Sequence, residues 1–198
     1  MTLAARLAAL TGLSLQDPRQ AARDLLSAQV PVGAAAAGLV LVAILSTLMT
    51  FVQVLRDPEP LPPFLALMVA SPLRLALSEG ALTCLSVVLI HRVGRGFGGQ
   101  GSLADALRVT VWVEGIMLAP QALQLGLGLV SADLAGIVGL ASLGLYIWLI
   151  TSFIAVLHGF SSRPMVFLGM MATSLATGIV IALAMLALVG PEVLLPYV

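Results

Sequence analysis

The chain has 198 residues, of which 60% are hydrophobic and 9% charged, and its formal net charge is zero. Soluble domains carry about 25% charged residues, so this chain has too few charges to cover a globule with polar surface. The composition excludes an ordinary soluble domain and predicts an all-α polytopic integral membrane protein. Zero net charge also argues against a nucleic-acid partner. Every basic residue is arginine, a bias that favours a bacterial cytoplasmic membrane as its location.

The first residues predict a short amphipathic helix. Within 2–12, Leu3, Leu7 and Leu10 fall on one side, and Gly12 is a plausible end. We find no cleavage site typical of a secretory signal before Gln16, and we expect this segment to stay in the mature chain.

A second short helix is predicted from Pro18 to about Gln29. Asp17 is a favourable N-cap, and proline is favoured at the first helical position. This helix has an apolar side and a polar side opposite it. Such a helix typically packs on a bundle or lies at the membrane interface, where binding of lipid is the alternative. The apolar side holds Ala22, Leu25 and Leu26, and the polar side holds Arg19, Arg23 and Asp24.

Five hydrophobic segments follow, and we divide the chain into N-terminal helices (1–30) and a five-span membrane domain (31–198). The predicted spans are 33–55, 73–90, 109–130, 134–157 and 165–189. Residues 61–72 are apolar but too short to span, so we predict an interfacial or re-entrant piece. The stretch 91–108 is rich in glycine, which disfavours a helix, and in arginine, which marks a membrane surface, so a turn region is predicted here. Its last residues, 103–108, are predicted to begin the helix of the third span. Pro120 should kink the third span.

The arginines predict the orientation, since cytoplasmic loops carry the excess of basic residues. With the N-terminus inside, seven arginines are inside and only Arg56 and Arg74 are outside. This split predicts the N-terminus in the cytoplasm and the C-terminus outside. The loop residues that define the inner surface are Arg92, Arg95, Gly98, Gly99 and Gly101.

Small residues recur at four-residue spacing in the last two spans. Such rows let helix backbones approach closely in lipid. We expect Gly136, Gly139 and Gly178 to pack against other helices of the same chain, with contacts between chains, including a homo-oligomer, as the alternative.

Three segments carry a family resemblance. Residues 17–26 (DPRQAARDLL), 97–107 (FGGQGSLADAL) and 158–164 (HGFSSRP) occur in the same order as similar segments of the Yip-domain family of multispanning membrane proteins. Ala119-Pro120 matches part of a further family motif without its tyrosine. The resemblance implies five spans and a cytoplasmic N-terminus. Eukaryotic members are linked to small-GTPase binding and vesicle traffic, but this chain lacks the long polar N-terminal region such recruitment would need.

Polar residues inside the spans are the candidates for chemistry. Glu114 should lie about 9 Å below the inner surface by helical rise. Glu79 should be similarly deep from the outer side, so in a core of about 30 Å their levels differ by roughly 12 Å and a direct pair is not expected. Each carboxylate is either a structural hydrogen-bond acceptor or a proton or cation contact. Gln121 and Gln124 share a helix face and either join helices or line a cavity.

Other chemistry has little support. His91 and His158 are predicted at inner-surface turns, but two histidines do not make a zinc site. Cys84 is alone, so it predicts no disulfide and reads as a small buried hydrophobe. We expect no metal, no cofactor and no enzyme activity. The first hypothesis is a non-catalytic scaffold that binds other membrane proteins or shapes the bilayer, and the second is a transporter or channel that uses the intramembrane carboxylates.

Overall fold

The computed structural model describes residues 2–56 and 63–189, which are helical and contain no strand. Two short helices, α1 (Leu3–Gln16) and α2 (Pro18–Ser27), precede the first long one. The remaining helices are α3 (Val32–Arg56), α4 (Pro63–Val69), α5 (Pro72–Gly96), α6 (Leu103–Gly128), α7 (Ala132–His158) and α8 (Arg163–Val189). The all-α membrane fold is therefore confirmed. Residues 57–62, between the first predicted span and Pro63, and the residues after the fifth predicted span lie outside the described residues.

Local sequence explains where several helices begin and end. The Asp17 side chain accepts hydrogen bonds from the backbone N–H groups of Arg19 and Gln20, with Pro18 at the first helical position, so the predicted start of α2 is confirmed. Ser102 and Ser131 cap α6 and α7 in the same way. α7 ends at Gly159, whose φ of 74° lies in the left-handed region that glycine adopts without strain.

Two predicted boundaries are wrong. α1 continues through Gly12 to Gln16, and α5 continues for six residues past Ile90, through Arg92 and Arg95 to Gly96. In both places the helix continues on both sides of a glycine. A single glycine costs a helix only about 1 kcal/mol, which the neighbouring residues outweigh. The turn between α5 and α6 is thus shorter than expected and consists of residues 97–102.

Four helices are long and apolar enough to cross a membrane: α3, α5, α7, and α8 over Arg163–Ala187. α6 has 26 residues but is not among them, since Glu114, Gln121 and Gln124 lower its mean hydropathy. The helix of seven residues at Pro63–Val69 is too short to span.

Contacts at the helix ends set the relative directions. Arg108 of α6 donates from Nε to the Val30 carbonyl before α3 (2.6 Å), and Arg56 at the end of α3 donates to the Leu125 carbonyl near the end of α6 (3.3 Å). α3 and α6 are therefore parallel. α7 is antiparallel to α6, because Gly101 lies against Leu157 and Gly139 against Gln124. We call the end with residues 97–102 the glycine-loop end.

The most buried core lies between α2, α6 and α7. Val109 and Val113 of α6 and Leu149 and Phe153 of α7 are completely buried. Ala21, Ala22 and Leu25 of α2 belong to the same cluster, so the predicted apolar side of α2 packs on the bundle. In α3, α5 and α8 few residues are buried within the protein, as in helices that face lipid.

Candidate functional site

A cavity of about 190 Å³ lies between α3, α5 and α6 and contains both candidate carboxylates. Glu79 comes from α5 and Glu114 from α6, and Ser46 and Thr83 add hydroxyl groups to the lining. The difference in depth predicted from the sequence does not keep the two carboxylates apart. That prediction counted residues from each surface separately, whereas the structure shows that both side chains line one cavity.

The carboxylates differ in their surroundings. Thr47 Oγ1, in a side chain that is only 3% exposed, donates to Glu79 Oε2 at 2.9 Å. This hydrogen bond ties α3 to α5. Glu114 is half-buried and makes no side-chain hydrogen bond within residues 2–56 and 63–189. Glu79 is therefore used in packing, and Glu114 is the group left available to the cavity.

The two glutamines join helices, although not the same ones. Gln121 Nε2 donates to Thr50 Oγ1 (3.2 Å) and to the Ser46 carbonyl (3.4 Å) of α3. Gln124 lies against Gly139 of α7, where an added Cβ would come within 2.9 Å of its Nε2. Their shared face on α6 therefore lies in the crevice between α3 and α7, and both side chains contact neighbouring helices.

Two histidines bind one residue of the glycine loop, a site that the sequence did not predict. The Gly101 N–H donates to His158 Nδ1 (3.2 Å), and His158 Nε2 donates to the Ile90 carbonyl (3.1 Å). His91 Nδ1 donates to the Gly101 carbonyl (3.1 Å). Because Nδ1 of His158 accepts a hydrogen bond, it carries no proton, so the His158 imidazole is neutral with its proton on Nε2.

Close packing explains the glycines of this region. His158 is 2% exposed, and its ring stacks on Phe160 with centroids 5.4 Å apart. An added Cβ at Gly94 would come within 2.2 Å of the His158 ring, and one at Gly99 within 2.4 Å. The glycine motif and the HGF segment thus form one packed unit, which we call the histidine clamp (His91, Gly94, Gly99, Gly101 and His158). The sequence feature that could have predicted this site is a pair of histidines at the same membrane surface as a glycine motif.

The predicted loop residues are distributed over two elements. Gly98, Gly99 and Gly101 lie in the turn, and Gly98 has a φ of 84°. Arg92 and Arg95 lie in the last turns of α5 and are exposed. Within the described ranges no cluster of three or more metal-ligating side chains occurs.

Two of the three predicted packing glycines have open space around them among residues 2–56 and 63–189. A Cβ added at Gly136 or Gly178 would meet nothing within 4 Å, whereas Gly139 contacts Gln124. Packing of Gly136 and Gly178, within the chain or between chains, therefore stays a prediction, and α8 contacts chiefly α7. Cys84 is likewise exposed rather than buried, since the outer face of α5 needs no polar cover in lipid.

An apolar groove of about 700 Å³ separates α5 from α8, with α7 as its floor. Leu89 and Val93 form one wall and Leu168 and Ala172 the other, and Tyr146 lies on the floor. Ser174, which begins the small-residue row of α8 (Ser174, Gly178 and Ala182), also lines it. The groove and the open face of α8 therefore form one continuous apolar surface.

Comparison with known proteins agrees with the resemblance found in the sequence. The Yip1 domain model matches residues 12–185, which include α2, α3, α5, α6, α7, most of α8 and the histidine clamp. No curated protein and no solved structure matches the chain. Since the match spans most of the sequence, the chain belongs to the Yip1 domain family.

Proposed function

We propose that this protein is a non-catalytic scaffold in a membrane, with the open face of α8 as its docking surface for other membrane proteins. The observation that carries the proposal is the continuous apolar surface of α8 and the 700 Å³ groove beside it. In lipid, small residues such as Gly178 allow a partner helix to approach closely. A second copy of the chain is the simplest alternative partner.

The polar residues of the spans support this interpretation. Thr47, Gln121 and Gln124 connect helices of the bundle, so most intramembrane polarity serves packing. The arginine bias favours a bacterial cytoplasmic membrane as the location.

A photocrosslinking amino acid at Ser174 tests the docking surface in native membranes. We expect defined protein adducts that are lost in Gly178→Leu, which fills the small-residue row. Gly126→Leu is the matched control, since Gly126 is also exposed with nothing within 4 Å but lies on α6. Adducts with lipid alone, or adducts unchanged by Gly178→Leu, would contradict the proposal.

We also infer five spans, with the N-terminus inside. α6 runs parallel to α3 and contacts it at both ends. It therefore extends as far as α3, which is long and apolar enough to cross a membrane. Reporters fused after Gly99 and after Val198 should lie on opposite sides, the first inside and the second outside. Finding both on one side would exclude this topology.

A second candidate function is proton or cation transfer, favoured by the cavity that Glu79 and Glu114 share. Glu114→Gln keeps the shape of the side chain and removes its charge. If the protein transports, this variant should fold normally and lose flux in proteoliposomes. Asp133→Asn, in the exposed first turn of α7, is the charge-removing control. Flux equal to that of the parent in Glu114→Gln would leave Glu114 a structural role only.

A further inference from the structure

The first half of α1 (residues 3–9, LAARLAA) is exposed on all sides. Leu3 is 73% exposed and Leu7 is 46% exposed, and Arg6 is the only residue of the segment that is neither leucine nor alanine. The second half is different, because Leu10 and Leu13 pack against the core cluster and Ser14 is completely buried.

The apolar stripe of α1 therefore extends beyond the edge of the bundle. Leu3, Leu7 and Leu10 lie on one helix face at spacings of four and three residues. Leu10 packs against the core cluster, while Leu3 and Leu7 are exposed. The surface that continues the bundle in their direction is the membrane around it, provided that α1 lies at membrane level.

A hydrogen bond sets that level. Trp112 Nε1 of α6 donates to Ser14 Oγ at 3.1 Å. Trp112 comes four residues after Arg108, about 6 Å further along the helix axis, and Arg108 is held at the surface by Asp105 and the Val30 carbonyl. Tryptophan so close to the end of a span is typical of the membrane–water interface. α1 thus leaves the core where α6 enters the membrane.

The charges also fit lipid. α1 contains no acidic residue, and the long side chain of Arg6 can extend to phosphate groups while the leucines stay in the apolar layer. The arginines of α2 are used differently: Arg19 donates to the Ser161 carbonyl (2.8 Å) and Arg23 to Gln20 Oε1 (2.8 Å). The Arg19 bond and the buried Ala21, Ala22 and Leu25 hold α2 against the bundle, so lipid contact falls to α1.

We propose that residues 3–9 are embedded in the headgroup region of the leaflet on the glycine-loop side, with Leu3 and Leu7 toward the acyl chains. The partner of this surface is the bilayer itself. A helix inserted in one leaflet takes up area there and not in the other, so α1 couples the bundle to the packing of that leaflet.

Spin-label accessibility tests this placement in the full chain. In a Cys84→Ala background, a nitroxide is attached to Leu7→Cys or, as control, to Arg23→Cys on the exposed polar side of α2. The protein is reconstituted in vesicles of phosphatidylcholine and phosphatidylglycerol, and relaxation is measured with oxygen, which concentrates in the bilayer, and with a water-soluble nickel chelate.

The label at position 7 should show an oxygen-to-nickel accessibility ratio several-fold higher than that of the label at position 23. Leu3→Cys provides a second position with the same expectation should Leu7→Cys fold poorly. Strong nickel access at both positions would place α1 in water. Shielding from both reagents would mean that another protein or a second copy covers it, and either result would overturn the proposal.

Discussion

The glycine-loop end and the lipid-facing helices are built on different rules. Around the histidine clamp, α2, α6 and α7 pack with fully buried side chains, and both ring nitrogens of His158 form hydrogen bonds. In the apolar stretch of α8 only 6% of the residues are buried within the protein, against 44% in the corresponding stretch of α7. A soluble protein could not leave α8 so open, but lipid tails cover leucine as well as protein does. Fold specificity is therefore concentrated where the chain buries residues in protein rather than in lipid.

Truncating a large side chain in each region should give the largest difference. Phe153→Ala removes a fully buried ring from the core and should cost about 3–5 kcal/mol of unfolding free energy. Leu175→Ala acts on a residue that is 67% exposed and should cost at most about 0.5 kcal/mol. Thermal and denaturant unfolding in one detergent measures both. Equal losses would show that α8 is packed as tightly as the core.

The histidine clamp should respond to a single methyl group. Gly94→Ala places a Cβ within 2.2 Å of the His158 ring, and overpacking of this kind costs about 1–3 kcal/mol. Gly96→Ala, two residues later in the same helix with nothing within 4 Å, should be neutral or stabilising by up to about 1 kcal/mol. Unfolding curves of the two variants give the comparison. A neutral Gly94→Ala would mean that the ring moves freely and that the clamp is loose.

The smallest effect is expected where α1 meets the bundle. Ser14→Ala removes the acceptor of the Trp112 indole N–H and should cost about 1 kcal/mol, seen as faster proteolysis within α1. Ser27→Ala is its control, because Ser27 is exposed and its hydroxyl donates to the Asp24 carbonyl of its own helix. Proteolysis that is unchanged in Ser14→Ala would show that Leu10 and Leu13 alone hold α1.

The predictions for individual elements succeeded where the signal is local. Long uncharged runs mark α3, α7 and α8 because hydrocarbon admits few charges. Asp17-Pro18 marks the start of α2 because cap and proline act within one turn. Glycine was the misleading local signal: its cost of about 1 kcal/mol did not end α1 at Gly12 or α5 before Gly96.

What the sequence by itself determined is that this is an all-α membrane protein of the Yip1 domain family, with its polar candidates named in advance. Only the tertiary structure decided how those candidates are used. Glu79 and Glu114 share a cavity, Gln121 and Gln124 contact different helices, and His158 closes on Gly101. Each outcome depends on how neighbouring helices are rotated and shifted along one another. That arrangement comes from packing summed over many side chains, and no short stretch of sequence records it.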